Sequence, residues 1–193
     1  MRDGGRGMRN GSPPPLPRLG EGRGVRAVPR PPSLHPDHKE QPMQAITTAL
    51  RDLFADQQTA MREIVWGLSA EALNWAPAGG KDTNSIAQML SHALDAERFL
   101  VAAAVGVTLD RDRESHFSIE VDSADAFIAE IDRTAGLVYD WLGQLSDDRL
   151  AGDVRLRDSS RSGAWLAIHA LEHAREHIGQ ALLTRQLYEA GQR

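Results

Sequence analysis

The sequence predicts an all-α protein: a four-helix bundle with at least one long crossover, preceded by a disordered tail. Three observations lead there. Four windows of roughly 20 to 27 residues carry apolar side chains at helical spacing, serine capping signals precede them, and no pair of alternating segments marks a sheet. At about 1.5 Å per residue, such helices are about 30 to 40 Å long, which suits a bundle. A chain of 193 residues holds one such domain and a tail.

The tail is residues 1–42. It contains nine of the ten prolines and seven of the seventeen glycines, with eight basic residues against four acidic ones. A run such as Gly11-Ser12-Pro13-Pro14-Pro15-Leu16-Pro17 cannot hold helical hydrogen bonds, and its few apolar residues cannot offset the entropy of ordering it. The longest apolar stretch, Gly24 to Val28, is broken by Arg26, so the tail does not read as a secretory signal. The sharp switch at Met43 points to a functionless tail or an over-extended reading frame whose start is Met43. The folded domain is accordingly placed at 43–193.

In the first helix, near 44–67, Ile46, Leu50, Leu53, Phe54, Ile64, Val65 and Leu68 mark the apolar face, and Pro42 stands where a first-turn proline is tolerated. Ser69 caps a short turn through Leu73, and Pro77, Gly79 and Gly80 make a loop. The second helix starts at Asn84 or Ser85, where Ser85 and Gln88 have capping-box spacing; it runs to about Val105, and Gly106 ends it. A polar crossover follows from Asp110 to Glu120. Ser123 caps the third helix, with Phe127, Ile128, Ile131, Val138, Trp141, Leu142 and Leu145 on its buried side. Residues 147–162 read as a polar loop, in which Val154 to Leu156 resembles a short strand with no obvious partner. The fourth helix spans Ser162 or Gly163 to Glu189, with Trp165, Ile168, Leu171, Ile178, Leu182 and Leu187 as its core.

Composition removes several function classes. Twenty-two basic against 27 acidic residues give a net charge of −5, which argues against nucleic acid as a partner. There is no cysteine, hence no disulfide, thiolate ligand or cysteine nucleophile, which fits a reducing cytoplasm. No apolar run approaches the roughly 18 residues of a membrane helix.

Chemistry is concentrated in the seven histidines. His35 and His38 lie in the tail, His116 in the crossover, His92 on the second helix, and His169, His173 and His177 on the fourth. Residues four apart on a helix differ by about 40° in direction and about 6 Å along the axis, so His173 and His177 can aim at one point. Such a pair binds divalent metals because each neutral imidazole offers one lone pair while its other nitrogen is held by a neighbour. A third ligand must come from another element. His92 is the candidate, since it lies on the stripe Met89, Ala93, Ala96 and Leu100 that faces the interior. A lone histidine on such a face is more often a hydrogen-bonded core residue; three converging imidazoles without a shared ligand would leave several buried polar groups unsatisfied. A zinc-protease motif is excluded, because glutamate must directly follow the first histidine and Ala174 stands there.

The residues also resemble a known family. Gly67 to Pro77 (GLSAEALNWAP), then Asn84-Ser85-Ile86-Ala87, then His92 with Glu97, are similar to the first half of the DinB-like (DinB/YfiT) superfamily. Trp165 to His169, followed by His173-Ala174-Arg175-Glu176-His177-Ile178-Gly179-Gln180, resembles its last-helix signature. The resemblance covers essentially 43–193. It implies an up-up-down-down four-helix bundle holding a divalent metal, zinc or nickel, through His92, His173 and His177, with His169 as a core or supporting residue. It further implies a small-molecule thiol and an electrophile as partners, by analogy with mycothiol-dependent maleylpyruvate isomerase and bacillithiol or glutathione S-transferases, and it allows a homodimer. Mycothiol is the thiol that the alanine and arginine bias favours. The other reading is a non-catalytic, metal-stabilised, stress-associated binding protein. Where relatives often carry arginine directly after the final histidine, this chain has Ile178. Asp95, Glu172 and Glu176 are close enough to orient an imidazole, though such charges usually form a solvated face; Arg175 is read as a surface residue and Trp66, Trp75 and Trp165 as core.

Overall fold

The computed structural model describes residues 42–77, 83–111, 118–156 and 159–192. Outside them lie the tail up to residue 41, and with it His35 and His38, as well as His116 of the crossover. Along the chain come α1 (Pro42–Val65), α2 (Ala70–Asn74), α3 (Ile86–Val105), α4 (Ala124–Leu142), α5 (Asp147–Ala151), β1 (Asp153–Leu156), β2 (Ser159–Ser162) and α6 (Gly163–Gly191). The four long helices, α1, α3, α4 and α6, form the bundle.

Local chemistry sets their starts. Ser69, Ser85, Ser123, Ser146 and Ser162 each sit at an extended N-cap and accept a hydrogen bond from the backbone three residues on. At Ser85 the capping box is complete, with Gln88 reaching back to the Ser85 N–H. Gly106 closes α3 at φ +84°, a conformation glycine adopts without penalty.

Two apolar clusters show how the helices run. One joins late α1 (Met61, Ile64, Val65), early α3 (Ile86 to Leu94), early α4 (Phe127, Ile131) and late α6 (Ala174, Ile178, Ala181). The other joins early α1 (Leu50, Phe54), late α3 (Leu100 to Val105), late α4 (Val138, Leu142) and early α6 (Leu166, Ala167, Ala170). Thus α1 runs antiparallel to α3 and α4 and parallel to α6, and Arg62–Asp132 and Arg51–Tyr139 agree for α1 and α4. The order is up-down-down-up, which corrects the expected up-up-down-down. The long crossover lies between the parallel α3 and α4; at about 3.3 Å per residue, the connection 106–123 easily spans the roughly 30 Å length of α3.

Three expectations change. The stretch 147–162 is not loop: it holds α5 and an antiparallel hairpin in which Val154 faces Arg161 and Leu156 faces Ser159. The partner strand, Ser-Ser-Arg-Ser, carries no apolar alternation and so gave no strand signal. On α6, Trp165, Ile168, Leu182 and Leu187 are exposed, as are Ile46 and Leu53 of α1. The expected Ile178 is buried, and the rest of the covered side of α6 is Leu166, Ala167, Ala170, Ala174, Ala181 and Thr184. A helix apolar on several sides does not announce which faces the core, and here the small residues do, because they let α6 lie close against the alanine-rich α3. Trp66 is also exposed, while Trp75 is half-buried with its ring edge-on to Tyr188, 5.6 Å between centroids.

Candidate metal centre

The close α3–α6 packing brings three imidazoles together. His92 is buried on α3; His173 and His177, one turn apart on α6, are half-buried. Ring centroids are 5.0 Å (His92–His173), 5.1 Å (His92–His177) and 4.6 Å (His173–His177) apart, and one nitrogen from each ring lies within 4.8 Å of the other two. A divalent ion with nitrogens at about 2.0–2.1 Å in tetrahedral geometry needs them about 3.3 Å apart, so at most about 1.5 Å of closure is required.

The protonation state of His173 suits a metal ligand. Burial first, then the neighbouring His177, His92, His169 and Arg111, push the pKa of His173 down to about 4. His173 is therefore neutral at pH 7, the ligating form, and its Nδ1 is buried with no hydrogen-bond partner among the described residues. On His177, Nδ1 lies 2.9 Å from Gln180 Oε1. If that nitrogen donates, Nε2 keeps its lone pair for the cluster. Gln180 in turn donates to Glu176 Oε1 at 3.4 Å, a brace one step removed from the ring. Three imidazoles with no thiolate or carboxylate suit a divalent transition metal and leave coordination positions open. The donor set fits the implied metal.

The other candidates fall out as follows. His169 is not in the cluster: its ring stacks on Trp165 (4.5 Å, 27°), its Nδ1 is 3.4 Å from Glu172 Oε2, and it is 6.2 Å from the His173 ring. Glu172 thus serves His169 rather than a clustered imidazole. Asp95 accepts from Arg111 Nε at 2.5 Å and lies 4.0 Å from Arg98. Arg175 is exposed. Trp165 is partly exposed, with the Arg161 guanidinium 5.2 Å from its ring.

Two groups had no assigned role in the sequence reading. Gln180 stands three residues after His177, a spacing that itself puts the two side chains on one face. Arg111 lies in a polar loop, where no spacing rule marks it. A third group, Glu97, points away from the histidines: Gln57 Nε2 donates to its Oε1 and Gln58 Nε2 to its Oε2, the latter at 3.4 Å, tying α1 to α3. Burial pushes the Glu97 pKa up to about 7 in spite of those hydrogen bonds and the nearby Arg98.

Comparisons with known proteins agree with this architecture. A search of curated proteins gave no significant match. A crystal structure of a DinB-like protein (YjoA) from Bacillus subtilis is similar with a TM-score of 0.58 and 15% identity, covering 73% of this chain and 92% of that one, a likeness of fold. The profile of the DinB superfamily matches residues 53–181, most of the chain and all three clustered histidines; the chain belongs to the DinB superfamily.

Proposed function

We propose that this protein is a metal-dependent enzyme in which His92, His173 and His177 hold one zinc or nickel ion, and that it transfers a low-molecular-weight thiol of the mycothiol or bacillithiol type to an electrophile. The observation that carries the reading is the meeting of three imidazoles from two helices, with His173 held neutral. Bound there, a divalent ion supplies a Lewis acid with room for one more ligand and lowers the pKa of the thiol or water that takes the position. The chain's own residues do the rest. His92 contributes a ring fixed by burial in α3, Gln180 orients His177, and Glu176 braces Gln180. Hydrolysis or isomerisation at the same centre is the neighbouring chemistry. A reducing cytoplasm suits either.

The outer face of α6 supports the homodimer. Trp165, Ile168, Leu182, Leu183 and Leu187 are all exposed there, with Glu172, Arg175 and Glu176 between them. When two copies of α6 pair antiparallel about the point between residues 175 and 176, Ile168 of each meets Leu183 of the other, and Arg175 meets Glu176 twice. That face is self-complementary in both apolarity and charge.

The test is elemental analysis of purified protein beside His177→Ala, followed by turnover of an electrophile such as monochlorobimane with a panel of thiols. About one metal per chain, lost in the variant, with thiol-dependent turnover, is the expected result. A metal site without turnover under any thiol would favour the binding-protein reading, and no metal in the wild type would remove the proposal.

A further inference from the structure

Arg111 enters the structure at the start of the crossover and is fastened to α3. Its Nε donates to Asp95, and its guanidinium lies 5.1 Å from the Phe99 ring centroid. Asp95 and Phe99 come three and seven residues after His92, so the stripe that anchors Arg111 is the one that continues from the clustered imidazole. The side chain is only 17% exposed. Among the described residues neither Nη makes a hydrogen bond, and these are the two donors of a guanidinium fork that can grip both oxygens of a carboxylate.

Asp95 is not private to Arg111. Asp95 also faces Arg98; Arg98 pairs with Glu130, and Glu130 takes Arg133 as well. Three guanidinium groups share two carboxylates, leaving one positive charge among the described residues of the network. On α6 the position after His177 is the buried Ile178, so that helix offers no cation there. A planar donor pair, partly desolvated on the stripe of α3 that carries His92, suits a carboxylate.

We infer that Arg111 is the anion anchor of this centre, taking a carboxylate of the thiol or electrophile through Nη1 and Nη2, so that the site selects acidic substrates over neutral ones of the same size. The inference rests on the metal reading above, and the experiment separates the two. Protein loaded with cobalt(II) is titrated with thioglycolate, 3-mercaptopropionate, 4-mercaptobutyrate and the neutral 2-mercaptoethanol, and the sulfur-to-metal absorption band reports binding. At least one thiocarboxylate binds about tenfold or more tighter than mercaptoethanol, as a charge-assisted pair of hydrogen bonds implies. In Arg111→Gln that ratio falls to near one, and Arg111→Lys, which keeps the charge but not the fork, recovers part of it. Metal content and circular dichroism of each variant show that it is folded and loaded. A thiocarboxylate preference that survives Arg111→Gln, or its absence from the wild type while bands form with every thiol, overturns the anchor and leaves the metal centre standing. No cobalt uptake, or no band with any thiol, removes the metal reading and the anchor with it.

Discussion

Glu97 gives the most direct quantitative handle on the fold. Its carboxyl is fully buried between α3 and α1, and its pKa rises from 4.5 to about 7. At about 1.4 kcal/mol per tenfold change in proton affinity, the ionised group costs the native state about 3 kcal/mol. The native protein binds this proton more tightly than the unfolded chain between those two values, so the cost is absent below pH 4.5, grows as pH rises, and is complete above about 7. Glu97→Gln stays neutral at all pH and supplies an N–H donor where the protonated acid supplies O–H. Gln57 Oε1, buried without a partner among the described residues, can accept it after rotation of its amide. Urea unfolding of both proteins at pH 5.0 and 8.5 reads the effect: the variant gains under about 1 kcal/mol at the lower pH and about 3 kcal/mol at the higher. With a slope near 2 kcal/mol/M, the midpoint at pH 8.5 rises by about 1.5 M. Equal differences at the two pH values, or destabilisation at pH 8.5, would refute the buried neutral carboxyl.

Further outcomes follow from the same geometry. In the metal-free protein the His173 ring titrates near pH 4 by NMR; because the unfolded chain takes up that proton near 6.5 and the native one does not, this group makes stability fall as pH drops from 6.5 toward 4. A midpoint near 6.5 would contradict the packing around it. Gly163→Ala destabilises by about 1–3 kcal/mol in thermal unfolding, since a Cβ there would lie 2.2 Å from the Arg149 carbonyl oxygen, and an unchanged Tm would show that α5 yields freely. Ile168→Glu combined with Leu183→Glu gives a monomer by light scattering at concentrations where the wild type is a dimer. A wild-type monomer at every accessible concentration would rule out pairing through α6.

Much of the fold was legible locally. Ser85 with Gln88, Ser123 and Ser69 mark helix starts through hydrogen bonds made within three residues, and Gly106 marks an end through its own backbone freedom. The His173–His177 pair follows from helix pitch alone. His92 was reached through its stripe and through the family resemblance, because a ligand from another helix leaves no spacing in the sequence.

The buried side of α6 is hidden from the sequence for a related reason. Its large apolar residues lie on two sides of the helix, and only the approach of α3 decides that Ala167, Ala170 and Ala174, rather than Trp165, Ile168 and Leu182, are covered. The hairpin needed a partner with no apolar pattern, and helix direction needed the crossover's path. Arg111 joins the stripe of α3 that carries His92 through its bond to Asp95, a contact that sequence spacing does not mark. By itself, then, the sequence determined the helices and the paired imidazoles, since both depend on contacts within one or two turns. Tertiary structure decided the third imidazole and the exposed apolar face, because each depends on how closely two alanine-lined helices can approach, and it decided the place of Arg111, because a loop residue is fixed only by what it lands on.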